Sequence, residues 1–132
     1  MEAVRSFLAD YARRYEAHDG DAVAAACTVP LTISQGGRIT CWTEAAPIVD
    51  NMVQLCAVYA AAGMKTATPE LLHWQALGAH DGFALVRWTL ARADGSLLQC
   101  FATAYQLQRQ AGDWRIAYVV AFDENLNALR AA

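Results

Sequence analysis

Over the first eighteen residues the apolar positions recur three and four apart, at Val4, Phe7, Leu8, Tyr11, Tyr15 and His18. That spacing places them on one stripe of a helix, predicted to run to about His18 and to face a core. Asp19-Gly20-Asp21 breaks the pattern, and an aspartate there is placed to cap a second, short helix from Ala22 to about Cys27. Pro30 is expected to end that piece. The β-rich runs Leu31 to Ser34 and Arg38 to Trp42 flank Gln35-Gly36-Gly37 and predict a short hairpin turned by the glycines. Thr43 stands at the expected N-cap of a third helix, with Pro47 in its first turn, where a missing amide hydrogen costs little. Ile48, Met52, Leu55, Cys56 and Tyr59 form its buried stripe, and Gly63 is a suitable stop.

From Leu71 to Phe122 the period changes to two, with breaks at Asp81-Gly82, Asp94-Gly95 and Gly112-Asp113. This predicts a four-stranded antiparallel meander. If Ala93 opposes Ser96 across the second turn, then Ala84, Val86, Trp88 and Leu90 share a face with Gln99, Phe101, Thr103 and Tyr105. Setting Arg109 opposite Trp114 carries that face on to Leu107, Ile116, Tyr118, Val120 and Phe122. It holds nearly all the large apolar side chains and is expected to pack on the helices. The opposite face, with Phe83, Leu85, Ala102, Ala104, Val119 and Ala121 among others, is too small and apolar for a plain solvated surface. A two-fold partner is the expected cover, giving a homodimer through the outer sheet face.

Composition narrows the class. The chain has 132 residues, enough for one domain with a real core, and the expected unit is the whole span 1–132. It is 56% hydrophobic and 17% charged with a formal net charge of −3, and its basic residues are scattered apart from Arg13-Arg14. Without a basic stripe, nucleic acid is not an expected partner. No window approaches the ~20 apolar residues of a membrane span, and charges interrupt the N-terminal segment, so the expected compartment is the cytoplasm. Cys27, Cys41, Cys56 and Cys100 are isolated and not at metal-ligand spacing, which predicts buried free thiols and no metal or other cofactor.

The order helix, helix, hairpin, helix and four long strands resembles the nuclear transport factor 2-like superfamily, whose small bacterial members are called SnoaL-like or ketosteroid-isomerase-like. The His18-Asp-Gly-Asp21 step, the Thr43-capped helix and the final hairpin, Tyr105-Gln-Leu-Gln-Arg109 then Gly112-Asp-Trp-Arg-Ile116, carry the likeness over almost the whole chain. The resemblance implies an α+β conical fold, with three N-terminal helices plus a short hairpin packed on a curved antiparallel sheet. It also implies a pocket between the helices and the concave face, and often a homodimer. It does not by itself imply an activity.

Ketosteroid isomerases of this superfamily place an aspartate base on the first hairpin strand and a second acid on the penultimate strand. Here those positions read Leu31-Thr32-Ile33-Ser34 and about Thr103, without a carboxylate, and Arg13 stands nearest to the family tyrosine of helix 1. Dehydratases of the superfamily pair a histidine on the first long strand with an aspartate after helix 1, and His73 and Asp19 are the matching candidates. In that role His73 removes a proton and Asp19 steadies the imidazolium. A two-residue turn at Asp81-Gly82 would bring His73 onto the concave face; a three-residue turn would send it to the outer face and rotate Leu72, Trp74 and Ala76 inward.

The candidate ligand-binding residues are Tyr11, Tyr15, Ser34, Trp88, Gln99, Phe101, Thr103, Tyr105 and Tyr118. Together they describe an aromatic pocket with a few hydroxyls and amides, suited to a small, largely apolar molecule. The leading expectation is a binding domain for such a molecule. The alternatives are a lyase or isomerase using the His73–Asp19 dyad, and a dimeric interaction module whose cone is filled by its own side chains.

Overall fold

A computed structural model describes residues 1–131. In chain order the elements are α1 (Glu2–Glu16), α2 (Gly20–Ala25), β1 (Cys27–Gln35), β2 (Arg38–Trp42), α3 (Ala45–Ala61), β3 (Met64–Leu77), β4 (Asp81–Arg92), β5 (Leu97–Gln110), β6 (Asp113–Phe122) and α4 (Leu126–Ala131). The six strands form one sheet in the order β2-β1-β6-β5-β4-β3. The hairpin β1–β2 joins the meander through a parallel pairing of β1 with β6, and every other pairing is antiparallel. Helices close one face, and the core beneath them contains Leu8, Leu31, Ile48, Met52, Leu107 and Ile116, all buried. This is the α+β cone.

Local chemistry explains most boundaries. Asp19 accepts the Ala22 amide at 3.0 Å as the N-cap of α2. Helix α3 starts differently from expectation: Glu44, not Thr43, is its N-cap, and no side chain caps it. Pro30 does not end a helix either; it lies inside β1, between Cys27 and Thr32, where the ladder to β6 shifts register. An irregular stretch of this kind tolerates a residue without an amide hydrogen. Of the four cysteines, only Cys27 and Cys56 are buried; Cys41 and Cys100 are exposed, since their strand positions point away from the helices.

Two glycines are fixed by close approach. A Cβ on Gly20 would lie 2.5 Å from the Val53 Cα, so a glycine is needed where α2 meets α3. A Cβ on Gly82 would collide with the indole of Trp74, whose six-membered ring reaches that position from β3.

The register of β4 against β5 is the predicted one, with Ala84↔Tyr105, Val86↔Thr103, Trp88↔Phe101 and Leu90↔Gln99. The two flanking strands depart from it. In β3 the loop is three residues, Gly78 to His80, and Leu72 is an extra residue between Leu71↔Val86 and His73↔Leu85. In β6, Ala117 is extra between Leu107↔Ile116 and Gln106↔Tyr118. Each bulge bends its strand and reverses which side chains face the helices beyond it.

Candidate functional site

Between the helices and the concave face lies a cavity of about 130 Å³. It opens into a wider vestibule of about 770 Å³, which shares Ile33, Gln35, Asn51, Glu124, Leu126 and Arg130 with it. The enclosed part is smaller than an ordinary ligand pocket of roughly 300 Å³ or more, yet close to the ~150 Å³ apolar cavity that admits benzene. A ring-sized group fits that volume, and the vestibule has room for the rest of a molecule.

Its inner wall is aromatic. Tyr11 and Tyr15, one helical turn apart on α1, meet edge to face with ring centres 5.0 Å apart, and their hydroxyls bond at 3.1 Å. Trp88 of β4 donates its indole N–H to the Tyr105 hydroxyl of β5 at 2.9 Å. Phe101 and Thr103 complete that side, and both are buried. Burial first, then the neighbouring phenols, pushes the Tyr11 and Tyr15 hydroxyls well above the ordinary tyrosine range; burial raises Tyr105 as well. These groups remain hydrogen-bond donors throughout the physiological range.

The mouth is built by the segment after β6. Asp123 turns the chain with φ +65°, and Glu124 folds back toward the cavity, where the Tyr59 hydroxyl donates to its Oε2 and Gln35 Nε2 donates to Oε1 at 3.0 Å. Desolvation raises the Glu124 carboxyl above its ordinary value, against the two hydrogen bonds, which lower it. Asn125 exchanges two hydrogen bonds with Gln99 and caps α4 through the Ala128 amide. Leu129 then buries itself against the core, and Leu126 lines the opening.

Of the residues singled out from the sequence, Tyr11, Tyr15, Trp88, Phe101, Thr103 and Tyr105 line this cavity. Four expectations are corrected. Ser34 pairs with Val120 on the outer face, because Ile33 and Gln35 are the β1 residues that point in. Tyr118 turns outward beyond the Ala117 bulge, and Val119 and Ala121 replace it as lining. Gln99 faces inward but is spent on Asn125 and does not line the cavity. His73 lies exposed on the outer face beside Phe83, since the three-residue loop and the Leu72 bulge bring Trp74 inward in its place. Asp19 is exposed, with its carboxylate on the α2 cap. The structure therefore does not assemble a His73–Asp19 dyad.

Glu124 and Tyr59 form the polar pair at the mouth; the sequence pattern allows Glu124, just past the last strand, to reach the mouth but favours a solvated end, and it reads Tyr59 as part of the buried stripe of α3. The helix-spaced Leu126 and Leu129 after Asn125 were the available signal that the chain end folds back. Among the described residues no group of three His, Cys, Asp or Glu side chains is placed to hold a metal, and no helix is long and apolar enough to cross a membrane.

Comparison with known proteins agrees with this architecture. Residues 1–124 match the family described as NTF2-like protein (DUF6841). No curated protein matches the sequence. Among solved structures, a protein of unknown function from Mycobacterium tuberculosis is similar at 19% identity and a TM-score of 0.71, covering 98% of this chain and 75% of that one. An NTF2-like protein of unknown function from Shewanella oneidensis shares 11% identity at a TM-score of 0.73, over 91% of this chain and 96% of its own. An NTF2-like protein with a cystatin-like fold from Novosphingobium aromaticivorans shares 17% identity at a TM-score of 0.70, over 97% and 86% of the two chains. At these identities the likeness is one of fold.

Proposed function

The chain belongs to the NTF2-like family DUF6841, and from that premise we propose that it binds a small, largely apolar molecule inside the cone. The observation that carries this reading is the open, aromatic cavity itself. Tyr11, Trp88, Phe101 and Tyr105 wall a space of about 130 Å³ that the chain's own side chains leave unfilled and that communicates with a vestibule. A cone that served only as a scaffold gains stability by closing such a void, because unfilled apolar volume costs roughly 24 cal/mol per Å³. The same void weighs against the reading in which the cone is plugged.

Titration with toluene tests it. Side-chain NMR resonances of Trp88, Phe101 and Tyr105 should shift, while those of Phe83 and Leu85 on the outer face stay in place. Native mass spectrometry of freshly purified protein should show a small adduct. Shifts confined to the outer face would remove the cavity from consideration.

A second reading concerns assembly. Phe83, Leu85, Ala102, Ala104, Tyr118 and Val120 lie half-buried on the outer face, and among the described residues no further element packs over them. A second copy placed there forms a homodimer. Sedimentation equilibrium at micromolar concentration should give twice the chain mass, and Ala104→Glu should return a monomer. A wild-type monomer would sink this part alone.

A further inference from the structure

Among the residues lining the cavity, Glu124 brings the one carboxylate, and its surroundings satisfy its geometry without answering its charge. Both oxygens have a partner, but each partner is neutral: the Tyr59 hydroxyl donates to Oε2 and the Gln35 amide to Oε1. The ion pairs among the described residues join Asp10 to Arg13 and Arg14, and Glu70 to Arg87; none involves Glu124. Arg38, Asp123 and Arg130, the other charged groups around the mouth, are exposed, so water and salt screen them. Glu124 is half-buried. Burial is the largest influence on its carboxyl and raises it, and its charge in turn raises the Tyr59 and Tyr105 hydroxyls. The charge is therefore felt inside the aromatic chamber.

A carboxylate drawn out of water without a countercharge costs free energy that neutral donors recover only in part. An occupant with a positive charge supplies the rest. We propose that the molecule bound in the cavity carries an alkylammonium group, set beside Glu124 at the mouth, with its apolar ring against Trp88 and Phe101. This rests on the cavity-binding reading above and adds the charge of the occupant. The carboxylate has room for the contact, because its two oxygens offer about four acceptor positions and Tyr59 and Gln35 use one each. The lining also suits a cation, since the faces of tyrosine and tryptophan rings attract positive charge. An anionic occupant would meet Glu124 with like charge.

Toluene, benzylammonium and benzoate share one ring and differ in charge. Glu124→Gln keeps an acceptor oxygen for Tyr59 and removes the charge. Benzylammonium affinity, measured by NMR titration at neutral pH, should fall about tenfold or more in that variant, the worth of a hydrogen bond to a charged group. Toluene affinity should stay within about twofold of wild type, and benzoate should not weaken. In the wild type, saturating benzylammonium should also move the titration of the Glu124 carboxyl, followed by carbon NMR, to lower pH, because a neighbouring cation favours the ionised form. Toluene should leave that titration in place. The ammonium itself keeps its charge over this range, as alkylammonium groups titrate far above it.

Benzylammonium that binds the variant as tightly as the wild type, or that leaves the Glu124 titration unmoved, overturns the ammonium assignment, and toluene binding then keeps the cavity reading standing. The assignment falls equally if the wild type prefers benzoate, or if benzylammonium moves Glu124 without shifting Trp88 and Phe101, as a surface ion pair would. If none of the three probes shifts Trp88 or Phe101, the cavity reading falls and takes the assignment with it. Should the variant not fold, the wild-type Glu124 titration decides on its own.

Discussion

The deep end of the cavity and its mouth are made in different ways. Tyr11, Trp88, Phe101 and Tyr105 come from a long helix and two central strands and are locked by burial on several sides. The mouth depends on Glu124, Leu126 and the six-residue α4, a helix too short to persist without tertiary contacts. A handful of polar bonds, to Tyr59, Gln35 and Gln99, and one buried leucine hold it. The contrast separates two tasks. For the binding role proposed above, the wall would set what fits, and the short, lightly held mouth, the segment with the lower expected local stability, would set how easily it enters.

The largest expected effect breaks the deep end. Trp88→Ala removes a buried ring together with the donor to Tyr105, and should cost about 3 kcal/mol in urea unfolding, the low end for such truncations because the ring already borders a void. Gly82→Ala forces a methyl into the Trp74 indole and should cost about 1–3 kcal/mol by the same measurement, as overpacking does. At the mouth, Gln99→Ala frees Asn125 and should change global stability by about 1 kcal/mol or less. Hydrogen exchange over residues 125–130 should nonetheless quicken clearly while the β4 and β5 amides keep their protection. An equal rise in both regions would erase the distinction between wall and mouth.

The smallest effect is a pH dependence. Glu124 is raised above its ordinary value near 4.5 in the folded chain, so folding favours its protonated form. Its stabilising contribution is complete below about pH 4.5 and is lost as pH rises through the raised value. The urea midpoint should therefore contain a component that declines over that window, and Glu124→Gln should remove it. A component that rises with pH would reverse the assignment.

Much of this molecule was legible beforehand, for identifiable reasons. The β4–β5 register follows from alternation so regular that Val86, Trp88 and Leu90 leave one choice of face, and it survived an extra residue at Leu98 near the turn. The α1 stripe placed Tyr11 and Tyr15 correctly through spacing alone. The bulges could not be read. Leu71-Leu72 and Ile116-Ala-Tyr-Val-Val120 are apolar at both parities, so the pattern is equally content with either face and nothing marks the reversal. Ser34 is a different kind of miss. Leu31-Thr-Ile-Ser34 alternates cleanly and already assigned the serine to the outside; its hydroxyl was given more weight than its position. For Glu124 the pattern favours a solvated carboxylate just past the last strand over one that reaches the mouth of the cone, and only the fold-back of α4, anchored by the buried Leu129, brings it to Tyr59.

The bulge at Ala117 has an evolutionary corollary. Deleting that one residue would leave Tyr118 opposite Gln106 and Val119 opposite Tyr105, so β6 would alternate plainly with Val119 and Ala121 still lining the cavity. A one-codon loss at the bulge is thus absorbed where it falls, inside the sheet between β1 and β5, without changing which β6 side chains face the chamber.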